Sequence, residues 1–172
     1  MALWRVRTTV VDKPGFLAVL AASLALRSVN ILSVSVHITE EGAVDDLVVD
    51  APDGLTEPQL RAAVERGRGR DIWIAPAQPR SLVDAPTQAL DLATYLVRDP
   101  AAVSTALAEL LGASVEWQPA AAPGVAGTQM WVPAPGGGVW YAQRPAPTFT
   151  PAEYARAQAL LAVAAAVAVP GR

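Results

Sequence analysis

The sequence predicts an α+β protein built from two successive units. Three observations carry that prediction. Apolar runs of period two alternate with runs of helical period in the order β-α-β-β-α-β over residues 3–75. Gln78-Pro79-Arg80 then interrupts the pattern as a linker. A different order, α-α-β-β-β-α, follows, with no internal repeat. Hydrophobic residues make up 52% of the 172, enough to fill two cores. The boundaries are expected at residues 1–78 and 79–172.

The first unit begins with an alternating strand over residues 3–11. Trp4, Val6, Thr8 and Val10 share one face, and Arg5, Arg7 and Thr9 the other. Asp12-Lys13-Pro14-Gly15 interrupts the apolar run. Asp12 suits a helix cap and Pro14 the first turn. Leu17, Leu20, Ala21 and Leu24 supply the buried stripe of a helix ending near Ser28, and Asn30 suits the turn after it because asparagine tolerates positive φ. Residues 31–38 alternate again, with Val34, Val36 and Ile38 opposite Ser33, Ser35 and His37. Glu40-Glu41-Gly42 predicts a hairpin turn into a strand at residues 43–50, whose inward pair is Leu47 and Val49. Thr56-Glu57-Pro58-Gln59 is a capping box for a helix burying Leu60, Ala63 and Val64 and stopping at Gly67. Residues 71–75 form the last strand. This order implies a ferredoxin-like antiparallel sheet with both helices on one face. First and last strands are then neighbours, so Trp4 and Trp73 are expected to meet.

In the second unit, residues 82–97 and 101–111 read as helices divided by Asp99-Pro100, a cap followed by a helix-starting proline. Residues 113–118, 128–132 and 139–143 read as strands, separated by loops at residues 119–127 and 133–138. Thr150-Pro151-Ala152-Glu153 is a second capping box, opening an alanine-rich helix that runs through about Ala168.

Composition removes several classes of function. Without cysteine there is no disulfide, thiolate nucleophile or cysteine zinc site. His37 is the sole histidine, and no other ligands sit at metal spacing around it. A net charge of −3 opposes a mainly electrostatic grip on nucleic acid, and the arginines of residues 66–70 read as a solvated turn. Asp45-Asp46 lacks a calcium-loop pattern, and Pro135-Gly136-Gly137-Gly138 lacks the lysine of a phosphate loop. No nucleophile elbow is present, so the chain is read as non-catalytic, with no cofactor and no metal. Residues 1–7 are not expected to form a signal peptide, and the apolar run at residues 157–169 is too short to span a bilayer. A cytoplasmic protein without membrane or nucleic-acid partners is expected.

Asp12-Lys13-Pro14-Gly15-Phe16-Leu17, Leu24-Ala25 and Val29-Asn30-Ile31 together resemble the signature of the ACT family of regulatory domains, over residues 4–76. That family is non-catalytic and binds amino acids or similar small molecules, often between two copies of the domain. The resemblance implies ligand-binding residues Asp12, Lys13, Pro14, Gly15, Phe16, Asn30 and Ile31. Serine-binding members carry asparagine at the Asp12 position and histidine at the Val10 position. Gln143-Arg144-Pro145, Phe149-Thr150-Pro151-Ala152-Glu153 and Arg156-Ala157 are similar to the last strand and helix of a GAF domain. Residues 82–168 thus read as a shortened GAF-like domain, in which residues 119–127 replace the segment that usually walls the pocket.

Asp12 then has two compatible roles, a helix cap and an acceptor for a ligand ammonium, with Asn30 donating and accepting beside it. The implied function is regulatory: a small metabolite, an amino acid or similar, shifts an interface equilibrium in a homodimer or toward a protein partner. The alternative is an assembly module without a ligand. It would pair through Leu90, Tyr95 and Leu96 on one helix and Leu160, Leu161 and Val163 on another, or through the edges of the ACT-like sheets.

Overall fold

The computed structural model describes residues 2–39, 42–77 and 85–168. The predicted linker at residues 78–80, the start of the helix at residue 82, and Glu40 and Glu41 of the predicted hairpin turn lie outside the described residues. The chain divides into two compact units, residues 1–83 and 84–172.

The N-terminal unit runs β1 (Ala2–Val10), α1 (Phe16–Ala25), β2 (Asn30–Thr39), β3 (Gly42–Ala51), α2 (Glu57–Arg66) and β4 (Arg70–Pro76). Its antiparallel sheet has the order β2-β3-β1-β4, the ferredoxin-like arrangement. Alternation decides the faces. Val6 and Val10 of β1 and Leu47 and Val49 of β3 join Leu20 and Leu24 of α1 and Leu60, Ala63 and Val64 of α2 in one core. Trp4 and Trp73 do not meet. Trp4 pairs with Pro76 while Arg7 pairs with Trp73, and an odd step along a strand reverses the face. Trp73 therefore shares the face of Arg5 and Arg7, where both guanidinium groups bond Asp46. Burial alone works against the Asp46 charge, but the hydrogen bonds and charges of Arg5 and Arg7 outweigh it and hold its carboxyl below the ordinary range.

Both helices end alike, and neither uses the residue the sequence suggests for the left-handed position. After α1 that position is Ser28 (φ 56°), with Val29 N–H bonding Leu24 O at 3.2 Å and Ser28 N–H bonding Ala25 O at 2.9 Å. After α2 it is Arg68 (φ 67°), with Gly69 N–H on Val64 O at 3.0 Å and Arg68 N–H on Glu65 O at 2.9 Å. These are Schellman closures. Asn30 is the first residue of β2, so the turn is complete before it. Gly67 has negative φ, and its role is close packing. A Cβ there would stand 2.8 Å from the Leu20 Cα of α1. Gly67→Ala is expected to push the two helices apart and cost about 1–3 kcal/mol, read as a lower urea midpoint.

The C-terminal unit runs α3 (Ala85–Arg98), a 3₁₀ turn (Pro100–Ala102), α4 (Val103–Leu111), β5 (Ser114–Gln118), β6 (Gly124–Ala126), β7 (Gln129–Pro133), β8 (Val139–Gln143) and α5 (Pro151–Ala168). Asp99 caps the 3₁₀ turn by accepting from Ala101 N–H at 3.2 Å. The sheet order is β5-β8-β7-β6. β6 lies inside the stretch expected as a loop. Three residues between Pro123 and Gly127 are too few to show a period, and only pairing with β7 makes them a strand. Leu96, Leu160 and Leu161 are not an assembly surface, because they lie in this unit's core with Leu92, Leu107, Met130 and Ala157. Leu90 and Tyr95 of that expected surface are exposed.

Arg144 and Glu153 form the polar centre of this unit, each 6% exposed. The Arg144 Nη2 donates to both Glu153 oxygens at 2.9 and 3.0 Å. Its Nη1 donates to Leu111 O at 2.6 Å, its Nε to Pro147 O at 2.7 Å and the same Nη2 to Thr148 O at 3.1 Å, and its guanidinium lies 4.0 Å from the Phe149 ring centroid. Glu153 in turn accepts from Thr150 N–H at 2.8 Å, while Glu153 N–H donates to Thr150 Oγ1 at 3.2 Å. The second capping box is therefore present, and its glutamate also holds the loop between β8 and α5.

Candidate functional site

The turn between β1 and α1 positions most of the sequence-predicted site. Asp12, Lys13, Pro14 and Gly15 are all exposed. Lys13 N–H bonds Val11 O at 2.9 Å and Phe16 N–H bonds Lys13 O at 3.3 Å, which folds the segment tightly. Asp12 does not cap the helix. The N-cap is Gly15 at φ 92°, a conformation that favours glycine, and no side chain bonds the first turn. The proline one residue before Gly15 delays the helix start, leaving Asp12 four residues ahead of Phe16.

Behind the turn lies a cleft of about 100 Å³. Val10, Val11 and Ala43 line it from the strand ends, Phe16 and Leu17 from α1, and Val36 from β2. Three charged residues line it as well: Asp12, Lys13 and Asp45. Leu17, expected in the helix's buried stripe, is instead 37% exposed at this cleft. Of the predicted site residues, the fold brings Asp12, Lys13 and Phe16 together here, with Pro14 and Gly15 forming the turn beside them.

Asn30 and Ile31 are elsewhere. Asn30 pairs with Asp50 of β3, whereas Val10, the strand residue before the turn, pairs with Ala43. The two ends are on the order of 20 Å apart along the strand. The physical reason is the connection itself: α1 carries the chain back across the sheet from one end to the other.

Asp45 is the residue that the sequence reading missed. It stands on the helix-covered face, opposite Thr8 of β1 and Val36 of β2, and is 1% exposed. Its Oδ2 is buried and accepts no hydrogen bond from the described residues. Burial pushes its carboxyl up from the ordinary 3.8 to about 6. The signal was present in the strand. Counting back in twos from the inward pair Leu47 and Val49 reaches Asp45, a carboxylate on a core face.

Among the described residues, no group of three or more histidine, aspartate or glutamate side chains is placed to hold a metal ion. No helix among them is long and apolar enough to cross a membrane.

No protein-family model and no curated protein matches the chain. Solved structures do. The regulatory subunit of aspartate kinase from Thermus thermophilus, in its ligand-free form, is 14% identical, with a TM-score of 0.36, over 96% of this chain and 93% of that one. A protein described as unknown from Galdieria sulphuraria is 14% identical, with a TM-score of 0.41, over 96% of this chain and 91% of that one. A formyltetrahydrofolate deformylase from Pseudomonas putida KT2440 is 15% identical, with a TM-score of 0.35, over 56% of this chain. This chain spans 38% of the length of the deformylase.

Proposed function

We propose that the protein is a non-catalytic regulator whose N-terminal unit is an ACT-like domain binding a small metabolite, an amino acid or a close relative, at the cleft beneath the residue 12–15 turn. The observation that carries this reading is the cleft itself. It joins an exposed turn with both charge signs, the N-terminal end of a ten-residue helix and a buried carboxylate, around an apolar wall. Such a surface suits a zwitterion: carboxylates for its ammonium, Lys13 and the helix end for its carboxylate. The C-terminal unit, read as a shortened GAF-like domain, then has an assembly or relay role toward a partner.

A second copy completes the site in this reading. β2 is an edge strand of ten residues, and Leu32, Val34, Val36 and Ile38 are 41–62% exposed along it. A long apolar edge invites pairing with another strand. Two β2 strands paired antiparallel about a two-fold axis, in the register that overlaps them over their full length, would set Asn30 of the second copy opposite Thr39 of the first. That register would bring the second copy's Asn30 and Ile31 toward the end of β2 near the cleft lined by Val36, which one chain alone does not do. The same edge supports the alternative class, an assembly module that pairs without a ligand.

Two measurements separate these. Titration calorimetry of the full chain against the twenty common amino acids is expected to give heat and a thermal shift with at least one. No heat and no shift from any of them would remove the amino-acid reading and leave the assembly module. In light scattering, the full chain is expected to be a dimer, and Val34→Lys with Ile38→Lys is expected to make it a monomer. A wild-type monomer at high micromolar concentration would remove the paired-edge arrangement.

A further inference from the structure

We propose that Asp45 is the receptor for a primary ammonium group, which donates an N–H to its Oδ2 while the attached aliphatic stem lies among Phe16, Leu17 and Val36. The inference rests on the reading of this cleft as a ligand site and adds the chemistry of the ligand's head. An aspartate oxygen buried without a hydrogen-bond donor costs free energy that nothing among the described residues offsets. A ligand cation offsets it, because a charged N–H on a carboxylate in a low-dielectric site is among the stronger hydrogen bonds. The cleft's size agrees. About 100 Å³ holds roughly three water-sized groups, enough for an ammonium and a short stem. Its lining agrees too, being apolar apart from Asp12, Lys13 and Asp45. Oδ2 is covered, so a ligand reaches it only with movement of the side chains around it.

The site has a pH signature. A bound ammonium favours the ionised carboxylate, and burial holds the Asp45 carboxyl near 6 without it. Binding below neutral pH therefore expels a proton, and affinity rises with pH through that region. Among the described residues, the charged groups that line the cleft with it are Asp12 and Lys13, both in the turn; the α1 sequence contributes none.

The test uses the full chain and three probes: n-butylammonium, n-butyrate and L-alanine. Butylammonium is expected to shift the amide resonances of residues 10–17 and of Asp45. Its binding should be about tenfold tighter at pH 7.5 than at pH 5, the ratio of ionised Asp45 at the two values. Calorimetry near pH 6 in two buffers of different ionisation enthalpy should report proton release. Asp45→Asn should abolish all three effects; if that variant does not fold, the wild-type pH ratio and proton count decide alone. Butylammonium binding that ignores pH, survives Asp45→Asn, or is absent at tens of millimolar would overturn the inference. So would butyrate shifting the same amides as strongly. Alanine or another amino acid binding Asp45→Asn as tightly as wild type would overturn it while leaving the metabolite reading standing. Butylammonium binding with no response to any amino acid would uphold Asp45 and remove the amino-acid reading. L-alanine and butylammonium compared at equal concentration distinguish a zwitterion from a simple amine.

Discussion

Arg144→Ala is expected to lower the stability of the C-terminal unit by about 3–5 kcal/mol, the usual consequence of stripping one member from a buried ion pair. Glu153 stays behind, 6% exposed, without the cation that bonds both of its oxygens. Three carbonyls, Leu111 O, Pro147 O and Thr148 O, lose their donor at the same time. The loop between β8 and α5 then loses the bond by which Arg144 joins it to Leu111 O at the end of α4. Glu153→Gln is expected to cost less, about 1–3 kcal/mol, because an amide oxygen can still accept from Thr150 and Arg144 keeps its carbonyls. Arg144→Lys is not expected to rescue, since one ammonium cannot reach partners set around a planar fork. Urea unfolding followed by tryptophan fluorescence checks this, with Trp117, Trp131 and Trp140 reporting on this unit. A loss below about 1 kcal/mol for Arg144→Ala would show that the network is not what ties the loop down.

Asp45→Asn is expected to act in the opposite direction and stabilise the N-terminal unit at neutral pH. The folded chain holds the Asp45 proton with a value of about 6 against 3.8 in an ordinary environment. It therefore binds that proton more tightly than the unfolded chain does. Stability then falls as pH rises from about 4 to about 6, and the full penalty applies above that window. The difference corresponds to about 3 kcal/mol at pH 7.5 and about 1 kcal/mol at pH 4.5. The variant should recover most of each, so its advantage over wild type grows by about 2 kcal/mol between the two pH values. Urea midpoints at both values measure it. An advantage that does not change with pH would mean that Asp45 is ionised comfortably in the folded chain.

The two capping boxes were legible because their chemistry is local. Thr56 N–H does bond Gln59 Oε1 at 2.9 Å, and Thr150 does exchange bonds with Glu153. Alternation in β1 and β3 was legible for the same reason, since a strand's period is written in consecutive residues. Local signals also misled. Asp12 has the chemistry of a cap, but Gly15 takes the position because the turn closes through the backbone. Asn30 has the chemistry of a left-handed turn residue, but Ser28 occupies that conformation.

By itself the sequence determined the α+β class, the order of the elements in the N-terminal unit and the faces of β1 and β3. These follow from periodicity and capping, which involve neighbours a few residues apart. Only the tertiary structure decided which predicted site residues share a place. Asp12, Lys13 and Phe16 gather around a cleft, and Asn30 goes to the far end of the sheet, because a helix of ten residues runs between them. It also decided that Glu153 would find Arg144, and that Asp45 Oδ2 would lie buried with no donor among the described residues. Pairing in space depends on strand order and burial, and neither is encoded in any one stretch of the chain.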